Sequence, residues 1–180
     1  SGSQWKHESL ISPIDFPIIK TEKELEEDKK QITESRKFYY QKDNKIEDSI
    51  YSVIINTQQL SNREKELIKE QLKKIYSIGI LQKHELTKHD LPIVIIENNV
   101  AKEYEQEELL SLDQAQQQLT KITNKKEIVN LLQPNIIYDE TTTNNILQAE
   151  LQAISHNKGL ISQGEQIISK GEVITPEKNQ

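Results

Sequence analysis

Pro92-Ile93-Val94-Ile95-Ile96-Glu97-Asn98-Asn99-Val100-Ala101-Lys102-Glu103-Tyr104-Glu105 decides the fold class. Pro92 to Glu97 is apolar and β-branched, the composition of a strand rather than a helix. Asn98-Asn99 is turn chemistry that tolerates positive φ, and Val100 to Glu105 alternates weakly, so the stretch reads as a β-hairpin. Elsewhere the apolar residues recur at helical spacing. The expectation is an α+β, helix-rich domain with short strands, a central hairpin and a closing strand segment.

Working outward, Ser61 and Glu64 form a capping box ahead of a stripe of Ile68, Leu72 and Ile75, and Gly79 stands where a left-handed C-terminal cap is expected. Before it, Ile46, Ile50, Val53 and Ile54 make one apolar helical face from Asp43 onward. Phe38-Tyr39-Tyr40 reads as a strand, and Thr21 with Glu24 caps a further helix whose anchors are Leu25 and Ile32. Ile14 to Lys20 is extended, with Pro17 suited to an edge.

On the other side, Ser111 with Gln114 caps another helix. Glu127 to Leu132 is a last helical turn or two, halted by Pro134. Asp139 is a good N-cap for a helix with Ile146, Leu147, Leu151 and Ile154 on its inner face. Beyond His156 glycines punctuate β-branched pairs. Gly164-Glu165-Gln166-Ile167-Ile168 is echoed by Gly171-Glu172-Val173-Ile174-Thr175, which predicts short strands and tight turns.

Composition sets the outer bounds. The 180 residues suffice for one globular unit with room for two lobes. Apolar residues make up 34% and charged residues 29%, a balance that favours exposed helices. The net charge is −6 with Lys and Arg interleaved among Glu and Asp, so no basic stripe meets a phosphate backbone and nucleic acid is not an expected partner. Ile93 to Ile96 is the longest apolar run, far short of the roughly 20 residues of a spanning helix. Without cysteine there are no disulfides or thiolate metal sites. Ser1-Gly2-Ser3, in a chain with no methionine, reads as a cloning remnant. Residues 1–13 are taken as that remnant and a tail, 14–176 as one domain, and 177–180 as a closing tail.

Catalytic and metal motifs fail on spacing. His84-Glu85-Leu86-Thr87-Lys88-His89 resembles a zincin signature, but its histidines are five apart rather than four, which on a helix turns the rings roughly 140° from each other. His89-Asp90 is an HD dipeptide, and neither His7, His84 nor His156 is placed as the earlier ligand that a bimetal centre needs. Gly159 to Gly164 has the glycine spacing of a P-loop, yet Glu165-Gln166 stands where Lys-Ser or Lys-Thr must meet phosphate. Glu107-Glu108 and Asp139-Glu140 lack the alternating oxygen ligands of a calcium loop. No catalytic residue, metal ligand or cofactor is assigned.

Three stretches together resemble one family. They are Asp15-Phe16-Pro17-Ile18-Ile19-Lys20-Thr21-Glu22-Lys23-Glu24-Leu25-Glu26-Glu27, then Gln133-Pro134-Asn135-Ile136-Ile137-Tyr138-Asp139-Glu140-Thr141-Thr142, then Lys170-Gly171-Glu172-Val173-Ile174-Thr175. In content, order and spacing they resemble the extracellular domain of the seven-transmembrane receptors with an intracellular HD hydrolase. The resemblance runs from about Asp15 to Pro176, with Tyr51 to Lys126 carried only by helix pattern. Arg36-Lys37-Phe38-Tyr39-Tyr40 departs from the Pro-Pro-Val-Tyr-like strand that members often have.

The resemblance implies an extracytoplasmic domain tethered at both ends: a transmembrane helix before it, then a multi-helix membrane region and a cytoplasmic HD phosphodiesterase that hydrolyses cyclic di-AMP. The family's catalytic residues lie outside this segment. Pro134, Asn135, Tyr138, Asp139, Gly164, Glu165, Gly171 and Glu172 are the motif positions given a structural or signalling role. Expected partners are an external ligand or envelope protein and the parent's own membrane helices, with a homodimer as a further option. The rival is a ligand-free dimerisation or docking module, which light scattering beside a thermal-shift screen would separate from a ligand-binding monomer.

Overall fold

The computed structural model describes Gln4, residues 6–88, residues 90–170 and Val173. In chain order the elements are β1 (Leu10–Ile11), β2 (Phe16–Ile19), α1 (Glu22–Glu34), β3 (Tyr39–Lys42), α2 (Lys45–Ile55), α3 (Asn62–Ile78), β4 (Ile93–Glu97), β5 (Val100–Tyr104), a 3-10 turn at Gln106–Glu108, α4 (Leu112–Thr120), α5 (Lys126–Val129), β6 (Ile136–Tyr138), α6 (Glu140–Gln152), β7 (Asn157–Ile161) and β8 (Gln166–Ile168). The class is α+β, as the pattern of the sequence predicts. The chain divides into two units: Ser1–Ser35 with Ala149–Gln180, and Arg36–Gln148.

The larger unit is built on a sheet ordered β5-β4-β3-β6. Its hairpin turns at Asn98 (φ 49°) and Asn99 (φ 62°), and Glu97 faces Val100 across it. Two successive positive φ values make the primed turn whose twist matches the strands, which short polar Asn side chains accept at low cost. β4 pairs parallel with β3, reached through α2 and α3, and β6 pairs antiparallel with β3. Ile93, Val94 and Ile95 are all buried, so β4 is covered on both faces and reads as a continuous apolar run.

Two apolar clusters fill this unit. One joins Ile50 and Ile54 of α2, Ile68, Leu72, Ile75 and Tyr76 of α3, Ala115 and Leu119 of α4, and Ile128 of α5. The other sets Phe38, Tyr40, Ile93, Ile95, Leu109 and Ile136 against the sheet. The stripe predicted for α3 is therefore its buried face, and Ser61 with Glu64 closes the expected capping box. On α2, Val53 departs from the predicted face and is exposed.

Gly79 ends α3 with φ 102° and ψ 140°. This corrects the expected left-handed cap: ψ is extended, and the chain passes straight into a bridge between Ile80 and Leu110. A Cβ here would stand 2.9 Å from Cγ1 of Ile136. Glycine is thus needed both for its backbone and for the close approach.

The smaller unit is two antiparallel ribbons and one helix. β2 pairs with β7 and β1 with β8. Leu10 and Ile11, inside the stretch read as an N-terminal tail, form β1. Along β2, Phe16 and Ile18 are half-buried, whereas Pro17 and Ile19 are exposed. No residue of α1 is fully buried; Leu25 and Ile32 are half-buried. Polar contacts carry α1 instead. Thr21 and Glu24 form the predicted capping box, Lys158 meets Glu24 at 3.0 Å, and Lys20 meets Asp28 at 2.7 Å. The predicted stripe of α6 is narrower than expected, since only Leu147 and Thr143 are buried while Ile146, Leu151 and Ile154 are half-buried.

The Thr21 backbone N–H, then Lys158 and the Thr21 hydroxyl, lower the Glu24 pKa from 4.5 to about 2. A carboxyl depressed in the folded state stabilises above its unfolded pKa, and that contribution fades as pH falls through the folded one. Thermal melts of the wild-type chain and Glu24→Gln should differ at neutral pH, with the gap closing between about pH 4.5 and pH 2. Gly79→Ala should cost about 3 kcal/mol in urea unfolding, from a strained φ plus overpacking. Gly164→Ala, whose Cβ meets nothing within 4 Å, should cost about 1 kcal/mol from its backbone alone.

Candidate functional site

The central motif predicted from sequence lies at the junction of helices and sheet in the larger unit. Asn135 is 2% exposed, and each of its polar groups is bonded. Its Oδ1 accepts from the Ile80 N–H at 2.8 Å, and its Nδ2 donates to the Tyr76 carbonyl at 3.5 Å. Its backbone N–H donates to the Ile80 carbonyl and its carbonyl accepts from the Asp43 N–H. A buried amide in this place replaces the partners that the end of α3 has lost. Pro134 precedes it, and Tyr76 bonds the Gln133 carbonyl at 3.0 Å. Burial raises the Tyr76 pKa to about 12, keeping that phenol a donor.

Tyr138 ends β6. Its ring meets Tyr40 edge-on at 5.5 Å, Phe38 at 6.3 Å, and lies stacked on His84 at 3.7 Å. Asp139 then caps α6 as predicted: Oδ1 accepts from the Thr142 N–H at 2.9 Å and Oδ2 from the Thr142 hydroxyl at 2.7 Å. Gln41 adds a third bond at 2.9 Å. Partial burial works to raise the Asp139 pKa, but the bonds from Gln41 and Thr142 outweigh it and hold the carboxyl below its usual value.

Beside this motif is a cavity of about 440 Å³. Leu81, Leu109 and Leu110 give it apolar walls. Its polar groups come from Gln82, Lys83 and His84 on the segment after Gly79, and from Gln106, Glu107 and Gln114 around the start of α4. Tyr40 and Thr87 close it with a buried hydroxyl pair at 3.0 Å. Burial pushes the Tyr40 pKa up, with the bond to Thr87 acting against it.

Three glutamines are oriented by the backbone. Gln82 Oε1 accepts from the Tyr138 N–H at 2.9 Å, and Gln114 Oε1 from the Ser111 N–H at 2.9 Å. Gln106 is turned the other way, its Nε2 donating to the Lys88 and Leu91 carbonyls at 2.5 and 2.7 Å. Lys83 and Glu107 have no ion-pair partner among the described residues. His84 Nδ1 is enclosed without a hydrogen-bond partner, a deficit of about 1–3 kcal/mol.

Gly164 and Glu165 stand apart from this cavity, in the smaller unit. Gly164 turns the chain with φ 85°, its N–H donates to the Ser12 carbonyl, and Glu165 accepts from the Ser162 N–H at 3.0 Å. Gly171 and Glu172 lie outside the described residues, as does His89. Among the described residues no group of three His, Asp or Glu side chains is placed to hold a metal ion.

A family model described as the 7TM-HD extracellular domain matches residues 5–180. The chain belongs to that family. Neither a curated protein nor a solved structure matches it. Among the described residues of this 7TM-HD extracellular domain, no helix is long and apolar enough to cross a membrane.

Sequence reasoning finds the motif but misses the cavity. Of the lining, the sequence draws attention to His84 and Glu107 as candidate metal ligands and to Gln114 as a cap. Apart from Tyr40 on β3, the other residues are ordinary types on two stretches about 20 residues apart, and the bridge between Ile80 and Leu110 brings those stretches together. In the 7TM-HD extracellular domain, Asn135→Ala should cost about 2–3 kcal/mol by stranding the Ile80 N–H, read as a lower urea midpoint with unchanged slope.

Proposed function

We propose that this extracellular domain senses an external ligand or envelope state and biases the membrane helices and cytoplasmic HD hydrolase of its parent, the reaction being hydrolysis of cyclic di-AMP. The single observation that carries this is the pairing of the two chain ends. Gln4 bridges Val173, Leu10 faces Ile168 and Phe16 faces Ile161, all antiparallel. A chain whose entering and leaving segments pair antiparallel at successive points suits delivery of both ends to the same membrane face.

Signalling requires a ligand that binds two conformations unequally, since equal affinity shifts nothing. The cavity supplies an input, because its Gln82 holds the Tyr138 N–H one residue before the cap of α6. α6 starts in the larger unit and its last residues belong to the smaller one. The closing segment from Gly164 onward is the output, and the Glu165 carboxylate secures the turn that precedes β8 by its bond from the Ser162 N–H.

In the full-length parent reconstituted in vesicles, replacing Gly164 to Thr175 with a flexible Gly/Ser linker should abolish the response of cyclic di-AMP hydrolysis to culture-medium extract added on the extracellular side. A grafted protein that responds like the wild type overturns the proposal.

A further inference from the structure

The chemistry of the cavity narrows what enters it, granted that this domain senses a ligand. Each glutamine's orientation is fixed by a backbone group that only one end of the amide satisfies. Because the oxygens of Gln82 and Gln114 are held by the N–H groups of Tyr138 and Ser111, these side chains have NH₂ donors left over. Because the Gln106 NH₂ is spent on the Lys88 and Leu91 carbonyls, what remains there is an acceptor oxygen. The two formal charges on the lining that lack ion-pair partners repeat this division. Lys83 joins the donors and Glu107 joins the Gln106 acceptor. The apolar part of the lining comes from Leu81, Leu109 and Leu110.

A site with spare donors beside a cation, spare acceptors beside a carboxylate and an apolar wall is complementary to a molecule carrying all three opposites. An anion alone would face Glu107, and a cation alone would face Lys83. A neutral apolar ligand would cover the three amide groups without pairing them, which disfavours it. The volume of about 440 Å³ lies at the lower end of the range for small-molecule sites, about 300–1,000 Å³.

We propose that the cavity binds a small zwitterion with an apolar body, an amino acid or short peptide, with its carboxylate towards Lys83, Gln82 and Gln114 and its ammonium towards Glu107 and Gln106. The leucine walls take the side chain. His84, stacked on Tyr138, adds an aromatic wall.

The test is calorimetric titration and thermal shift of this chain with L-leucine and the dipeptide Leu-Leu, beside N-acetyl-L-leucine and L-leucinamide, which each lack one charge. At least one zwitterion should bind saturably, with affinity falling about tenfold or more for the two capped compounds and in each of Lys83→Gln and Glu107→Gln. Both variants change exposed side chains, so they should keep the wild-type melting curve without ligand. If neither zwitterion binds, or if binding is unchanged by both substitutions, the proposal is overturned. The linker graft in the parent probes signalling through whatever ligand the medium supplies, so its outcome is independent of this one.

Discussion

The larger unit hangs on one buried amide. α3 ends at Gly79, and the next residue, Ile80, must satisfy its backbone in the interior between helices and sheet. Asn135 does this twice, by its side chain to the Ile80 N–H and by its own N–H to the Ile80 carbonyl, while Ile136 shares the same carbonyl. The Asn135 carbonyl then takes the Asp43 N–H, where β3 gives way to α2. One residue thereby fixes the exit of α3, the start of β6 and the entry to α2. An apolar residue of similar size would fill the space and leave these backbone groups without partners.

The constraint propagates to the cavity. Gly79 admits Ile136 at a distance no other residue permits, and beyond it Leu81 and Gln82 bond to Leu110 and Ile136. Gln82 reaches back to Tyr138. The segment after α3 is thus pinned to an irregular path by its neighbours rather than by a repeating ladder, so it exposes side-chain ends that a helix or strand would have turned elsewhere. Loops positioned in this way on a rigid frame are where binding groups collect.

What was legible in the sequence follows from the range of the interactions. Capping boxes at Thr21, Ser61 and Ser111, the Asn98-Asn99 turn and the Asp139 cap are local, and each is found where the residues predict it. Parallel pairing of β3 with β4 joins residues about 55 apart, and the three-residue strand β6 is too short for any period to declare itself. Gly79 was legible as a helix end, whereas the close approach of Ile136, far along the chain, was not. The motif around Asn135 stands out as a pattern, while its purpose lies in bonds to Tyr76, Ile80 and Asp43 that spacing does not encode.

The two units solve the stability problem differently, and the difference suits a division of labour. The larger has continuous apolar clusters, so displacing one wall costs contacts throughout a close-packed interior. The smaller has a helix with no fully buried residue, exposed apolar side chains at Ile14, Ile19 and Leu160, and ion pairs at its surface. Surface ion pairs contribute at most about 1 kcal/mol each, and two-stranded ribbons are marginal by themselves. Small free-energy inputs therefore have most leverage where the chain ends pair, since segments that move are drawn from the low-stability end of a fold. The well-packed unit holds the cavity, and the weakly packed one pairs the two end segments of the chain, where local opening costs least.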